Sequence, residues 1–160
     1  MKDRRTLALL LILVVGSSAG CVGNLYDNSG AGILAESVTS FQQWNASGNL
    51  SDLQNAIDGN VLTAAVGTDS GNDLITIDLG KVCYFNMVAI DHGSLGKGYA
   101  KRVAVLTSLS GEQFTYRKSG PGNRRVTVLL LDQAVLARYV RVQVVMARGE
   151  PWSVAEVYFQ

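Results

Sequence analysis

Two segments far apart in the chain carry the oxygens that a hard cation requires. The first, Asn55-Ala-Ile-Asp58-Gly59-Asn60-Val-Leu-Thr63, places a carboxylate, amides and a hydroxyl around a glycine that permits a sharp turn. In so tight a loop the neighbouring backbone carbonyls converge too, and such oxygens are the ligands of calcium-type ions. The second, Trp152-Ser-Val-Ala155-Glu156-Val-Tyr-Phe, sets one carboxylate, Glu156, in an otherwise apolar terminal strand. An unpaired charge there is costly, so some group must neutralise it. Taken alone, the first segment is also accounted for by a turn held by its own Asp and Asn side chains, with no ion.

With two further blocks, Ala100-Lys-Arg-Val-Ala-Val-Leu-Thr-Ser and Ala137-Arg-Tyr-Val-Arg-Val, these segments resemble the discoidin, or coagulation factor 5/8 type C, family over residues 36–160. The resemblance implies an all-β fold, a galactose-binding-like jelly-roll β-sandwich of antiparallel strands, shared with carbohydrate-binding modules. It also implies a structural Ca²⁺. Its ligands would be the carbonyls of Asn55, Asn60 and Ala155, the carboxylates of Asp58 and Glu156, and Thr63 through its carbonyl and hydroxyl. The chain departs from the family in one respect. Relatives generally carry a Trp just after the Thr of the ion turn, where this sequence reads Thr63-Ala64-Ala65-Val66.

The N-terminus has the form of an export signal. Lys2, Arg4 and Arg5 precede an apolar run over residues 7–15 and a small-residue stretch ending at Ala19-Gly20-Cys21, the charged-then-apolar order of a cleaved signal peptide. The junction resembles a bacterial lipoprotein cleavage box, although Ser18 stands where such boxes usually carry Leu. The expectation is therefore a signal peptide over residues 1–20, a lipid on Cys21 as membrane anchor, and a place at the bacterial cell envelope. Cleavage without lipidation, giving a secreted protein, is the alternative. Spanning a membrane takes about 20 apolar residues, more than this run offers. Residues 21–34 read as a Gly-, Asn- and Ser-containing tether, and residues 35–160 as one domain, long enough for a real core and too short for two.

Lys2, Arg4 and Arg5 are three of the 14 basic residues and Asp3 is one of the 13 acidic ones, so removing the signal takes the formal charge from +1 to −1. That balance offers no basic face to nucleic acid. If Cys21 carries lipid, Cys83 has no partner and is expected as a small buried thiol. A Cys21–Cys83 disulfide is the other possibility in an oxidising compartment.

The body must position the cation oxygens with strands. β-rich runs at 74–79, 82–92, 102–108, 125–131, 138–146 and 153–159 are separated by clusters of Gly, Asn, Asp and Ser, the pattern of an all-β sandwich. Within 138–146, Val140, Val142 and Val144 alternate with Tyr139, Arg141 and Gln143, which makes one face core and the other solvent. Residues 51–54 are expected to form one helical turn in which Ser51 and Gln54 make a capping box.

Four loops are candidates for ligand binding, since in such folds function is carried by connections at one end. The loop at 41–49 offers Trp44 beside Asn45; an aromatic face stacks on a sugar ring while amides bond its hydroxyls, the competing reading being that Trp44 folds back onto the core. The loop at 92–99 holds His92, the only histidine, and Tyr99; a packed, hydrogen-bonded His92 is the competing reading. The loop at 117–125 brings Arg117, Asn123 and Arg124 together with other cations, which suit hydroxyls, carboxylates or phosphates. The loop at 147–152 ends in Trp152, which is expected in the core. No nucleophile with a base, no histidine cluster and no close carboxylate pair outside the ion turn is legible, which argues against an enzyme. Two classes of partner remain: a carbohydrate or envelope polymer, and a protein onto which the module docks as a structural or assembly lipoprotein.

Overall fold

The computed structural model describes residues 36–37, 43–68, 71–94 and 98–160, so the expected signal peptide, Cys21 and the tether lie outside the described residues. The described chain forms strands β1 (Glu36–Ser37), β2 (Asn45–Gly48), β3 (Ala65–Val66), β4 (Leu74–Asp91), β5 (Arg102–Ser108), β6 (Thr115–Pro121), β7 (Val126–Met146), β8 (Ser153–Val154) and β9 (Glu156–Phe159), with one 3-10 turn at Leu53–Ala56. β4 and β7, of 18 and 21 residues, far exceed ordinary strand length. They pair antiparallel from Leu74 opposite Gln143 to Asp91 opposite Val126, with register shifts between Asp78 and Cys83 and between Phe85 and Met87.

Such irregularities bend a strand and sharpen its twist. Gly80, at φ +76, turns the chain within the first shift, and its N–H donates to Asp78 Oδ1 at 2.8 Å. The same Asp78 accepts a bidentate pair from Arg138, Nε at 2.8 Å and Nη2 at 2.9 Å, and the guanidinium holds its carboxyl below the usual carboxylate range. The bend lets each long strand serve both layers of a β-sandwich. One layer runs from β2 through the first part of β4 and the last part of β7 to β5 and β6. In the other, the first part of β7 and the last part of β4 lie beside β9, with β1 parallel to β4 at Cys83. A separate two-stranded ladder joins β3 to β8.

The core lies between these layers. Ile75 and Ile77 come from one half of β4, Val88 and Ile90 from the other, and Val140, Val142 and Val144 enter from β7 as the alternation requires. Cys83 is buried, with its thiol facing the Lys81 carbonyl at 3.7 Å. Trp152 is buried as expected.

Several expectations need correction. Extended backbone carried through the two register shifts joins the expected 74–79 and 82–92 into β4, and 125–131 and 138–146 into β7. The expected strand at 153–159 is instead cut at Ala155, whose N–H leaves the ladder for the Asp91 carbonyl at 2.8 Å. β2 and β6 occupy ground read as loops, so Arg117 is a strand residue, its Nε donating to Thr107 Oγ1 at 2.7 Å. The capping box does not form. Asp52, in the left-handed region at φ 51, caps the 3-10 turn without a side-chain bond, and Ser51 instead donates its hydroxyl to the Val66 carbonyl at 3.1 Å.

Trp44 is not a free platform. It is 7% exposed and meets Phe159 edge-to-face, centroids 5.3 Å apart, while Phe159 in turn packs on Phe85 at 5.2 Å. Because an aromatic this buried carries its worth in the core, Trp44→Ala should lower unfolding free energy by about 3–5 kcal/mol. Urea denaturation would show it as a lower midpoint at unchanged slope; a loss below about 1 kcal/mol would contradict the core role.

Candidate functional site

The 3-10 turn delivers the chain into the oxygen-rich loop. Gly59, at φ +78, has open space where a Cβ would stand, so the turn needs its backbone freedom rather than its small size. Asn60 N–H donates to Asp58 Oδ1 at 2.8 Å, and Leu62 N–H donates to Asn60 Oδ1 at 3.1 Å. Thr63 Oγ1 lies 2.7 Å from Asp58 Oδ2 and 2.8 Å from the Asn60 carbonyl. A hydroxyl has one proton to give, so one of those two acceptors is left without it. Asn55 bonds the Ala64 carbonyl through Nδ2 at 3.2 Å. Self-bonded Asx turns and converging oxygens are thus both present.

Glu156 joins this loop from β9. It is 0% exposed; Oε1 accepts the Gly59 N–H, while Oε2 is buried with no hydrogen-bond partner. A carboxylate oxygen orphaned in this way is expensive unless a cation or proton reaches it. Burial pushes the Glu156 carboxyl up, and the nearby Asp58 adds to the shift. Asp58 moves the other way, held low chiefly by the Thr63 hydroxyl. No group of three or more His, Cys, Asp or Glu side chains occurs among the described residues, so an ion here would lean on backbone carbonyls and the Thr63 oxygens beside the two carboxylates. The residues fit a hard cation on that donor set. Asp58, Asn60, Thr63 and Glu156 are brought together, with Ala155 adjoining; Asn55 reaches the loop from the 3-10 turn.

Beside the oxygen-rich turn, at the end of β4, residues 61–64, 92–94, 98 and 153 line a recess of about 170 Å³. Leu62 stands 82% exposed at its rim. His92 forms part of the wall but is itself buried. Its Nδ1 faces the Ser153 carbonyl at 2.7 Å, and its Nε2 the Thr127 hydroxyl at 2.8 Å. The carbonyl can only accept, which assigns the proton to Nδ1 and makes Nε2 the acceptor of the Thr127 hydroxyl. Thr127 Oγ1 also takes the Asn123 N–H at 2.9 Å, and His92 N–H donates to the Arg125 carbonyl at 2.9 Å. His92 therefore pins three connections together and has no ring nitrogen left for a ligand, which corrects its reading as a direct contact.

Tyr99 lies 6.3 Å from the His92 ring, with the Arg148 guanidinium 4.2 Å above its own centroid. The loop carrying Asn123 and Arg124 abuts it. A Cβ on Gly122 would stand 1.9 Å from the Ala100 carbonyl and 3.5 Å from Tyr99 Cδ2, which is why only glycine fits there. Asn123 and Arg124 are both exposed, and Asn123 Oδ1 accepts the Arg125 N–H at 3.3 Å within the loop. His92, Tyr99, Asn123 and Arg124 therefore share one end of the sandwich with the oxygen-rich turn. Trp44, Asn45 and Arg117 do not join them: Trp44 is core, Asn45 sits opposite Asp78 at the bend, and Arg117 lies in mid-strand. Leu62 and Arg148 were missed in the sequence. An apolar residue in a polar turn and a cation in a Gly/Pro loop were the available signals.

Burial holds the His92 imidazole below its ordinary value of 6.5. The unfolded chain then binds a proton that the folded chain resists, so stability is full above the unfolded value and falls as pH drops towards the folded one. Denaturation at about pH 7.5 and about pH 5 should show His92→Gln costing stability at the higher pH and less at the lower, since Gln does not titrate. An equal cost at both would contradict the neutral, buried assignment.

A scan against family models matches residues 36–157 to the F5/8 type C domain. No curated protein sequence matches the chain. Among solved structures, CpGH89CBM32-5 from Clostridium perfringens, in complex with GalNAc-β-1,3-galactose, superposes at TM-score 0.67 with 17% identity, covering 74% of this chain and 96% of that one. The family 32 CBM of NanJ from the same organism, in complex with galactose, gives 0.64 with 21% identity over 74% and 94%. CBM32-3 from a family 31 glycoside hydrolase of Clostridium perfringens gives 0.64 with 20% identity over 76% and 92%. These likenesses bear out the galactose-binding-like β-sandwich, and the family match covers most of the sequence: this chain belongs to the F5/8 type C domain family.

Proposed function

We propose that this protein is a non-catalytic, envelope-anchored binding module that recognises a carbohydrate at the loop end of its sandwich and carries a structural Ca²⁺ in the neighbouring turn. The observation that carries the reading is the gathering of the recess, Tyr99, Arg148 and the Asn123–Arg124 loop at one end of the fold. Its volume of about 170 Å³ is below that of sites enclosing drug-sized ligands and suits one sugar ring taken end-on, with the rest of a glycan along the surface. Leu62 and the edge of Tyr99 present apolar surface to a ring face, and Ser94 and the exposed cations bond its hydroxyls. The structural neighbours solved with galactose-containing ligands support this class of ligand. Affinity gels containing galactan should retard the protein, and Tyr99→Ala should release it by roughly tenfold or more, the scale of one lost stacking contact with its ordered neighbours. Unchanged retardation would move the site elsewhere.

The ion's role is to tie Asp58–Thr63 to Glu156, and when bound it would supply positive charge to the orphaned Oε2. Asp58 and Glu156 would hold it with the carbonyls of Asn60 and Ala155, with Asn55 and Thr63 completing the oxygen set. Without a cation, the raised Glu156 carboxyl stabilises the fold at low pH, and this contribution is lost as pH rises through its folded value. At neutral pH, calcium at about 100 times its dissociation constant should add about 2.7 kcal/mol over chelator. Glu156→Gln, uncharged but similar in shape, should erase that difference. Coincident melting curves for the parent protein in calcium and in chelator would remove the ion.

Anchoring rests on the export segment and Cys21, which support an envelope location. A second reading, docking onto a protein partner, is favoured by Val128 and Leu130, 49% and 63% exposed on one face of β7. A stoichiometric envelope partner recovered without any glycan retention would select it.

A further inference from the structure

The loop end is far more basic than the near-neutral chain as a whole. Lys101, Arg102, Arg124, Arg125 and Arg148 are all exposed, and none makes a salt bridge to an acidic side chain among the described residues. The backbone brings them together. Arg102 pairs with Pro121 and Met146, so the starts of β5 and of the 147–152 loop are neighbours. Gly122 N–H donates to the Lys101 carbonyl at 3.0 Å, and the Arg125 carbonyl accepts the His92 N–H. Arg148 lies over Tyr99, whose ring in turn flanks Gly122. The cations elsewhere are engaged: Lys118 with Asp132, and Arg138 with Asp78. Arg141 sits 3.9 Å over the Phe114 ring. Of the acids at this end, exposed Asp58, half-buried Asp91 and buried Glu156 each give an oxygen to a backbone N–H, and Glu150 is the exposed acid nearest the cluster in sequence.

We infer that the ligand is an anionic glycan, a carboxylate-bearing polysaccharide whose acid groups are gripped by Arg124 and Arg148 beside the recess. This rests on the carbohydrate reading above. Arginine is suited to the task because its planar fork bonds a carboxylate bidentately, and its stacking on Tyr99 pre-orders the guanidinium that would otherwise lose freedom on binding. A membrane headgroup would meet the same charges. It is less well matched because Val61 and Leu62 are the exposed apolar side chains of the turn, little to bury in a bilayer, while Thr63, Ser94 and Ser153 add hydroxyls to the recess that they line together with Ala64 and His92.

The test uses polygalacturonate and its methyl-esterified form, which share a galactose-configured backbone and differ in carboxylate charge, with phosphatidylserine vesicles as a third arm. The purified chain should bind the acid at least tenfold more tightly than the ester, and raised salt should weaken that binding steeply. Arg148→Ala and Arg124→Ala should each weaken binding of the acid by roughly ten- to a hundredfold, the scale of a lost charge-assisted bond, with melting temperature unchanged. Lys81→Ala, removing an equal charge at the bend of β4 roughly 30 Å along the strand, should leave it unaffected. Equal binding of acid and ester overturns the inference while leaving the carbohydrate reading intact. Binding to vesicles but to neither polysaccharide overturns it in favour of a membrane. Binding to none of the three overturns it, and a failure of galactan retention as well removes the carbohydrate reading.

Discussion

Everything in this molecule hangs on the pairing of β4 with β7. Each strand is long enough to belong to both layers, and the register shifts around Asp78–Cys83 and Phe85–Met87 fold the pair over the core instead of letting it run on as a flat ribbon. β2, β5, β6 and β9 are added to that spine. The bend is fixed by Gly80 in a left-handed conformation and by the Asp78–Arg138 fork, half-shielded from water. A pair so placed helps to specify a bend more than it adds raw stability, because desolvation offsets much of its attraction. β4 also ends at Asp91, one residue before His92, so the geometry that closes the sandwich sets where the loop end begins.

At that end two buried polar groups are handled in different ways. His92 is satisfied on both ring nitrogens and stays neutral, a hydrogen-bonded bolt between β4, β7 and β8. Glu156 has one oxygen satisfied and one orphaned, so its environment is complete only with a proton or a cation. The first arrangement stabilises at no electrostatic risk. The second leaves a carboxylate oxygen buried without a hydrogen-bond partner where β9 begins.

Much of this was legible in the sequence, for identifiable reasons. The alternation Val140, Val142, Val144 declares a half-buried strand because side chains change face at every residue, and the runs of valine, alanine and threonine at 102–108 give β5 its bounds. The oxygen-rich turn at 58–63 was legible because its oxygens cluster locally and Gly59 marks the turn. What escaped depended on distant partners. No local signal says that 74–79 and 82–92 are one bent strand; the continuity lies in β7. Trp44 sits among polar neighbours in sequence, and only Phe159, far along the chain, shows it to be core. Ser51 and Gln54 had the spacing of a capping box, but Val66 competes for the Ser51 hydroxyl through tertiary pairing. Arg148 joins the site only because Tyr99 is folded beneath it.

The attachment of β1 and of the chain's last residue has an orientational consequence. β1 runs alongside β4 at Cys83 and Tyr84, and Gln160 exchanges hydrogen bonds with Met87, so Glu36 and Gln160 lie within a few residues of one another along the same edge of β4. The strand then continues for eight residues, roughly 26 Å, before it reaches Asp91 and the recess. Glu36 and Gln160 therefore sit at the foot of the described body, with the basic rim at the opposite end, like the base and lip of a cup.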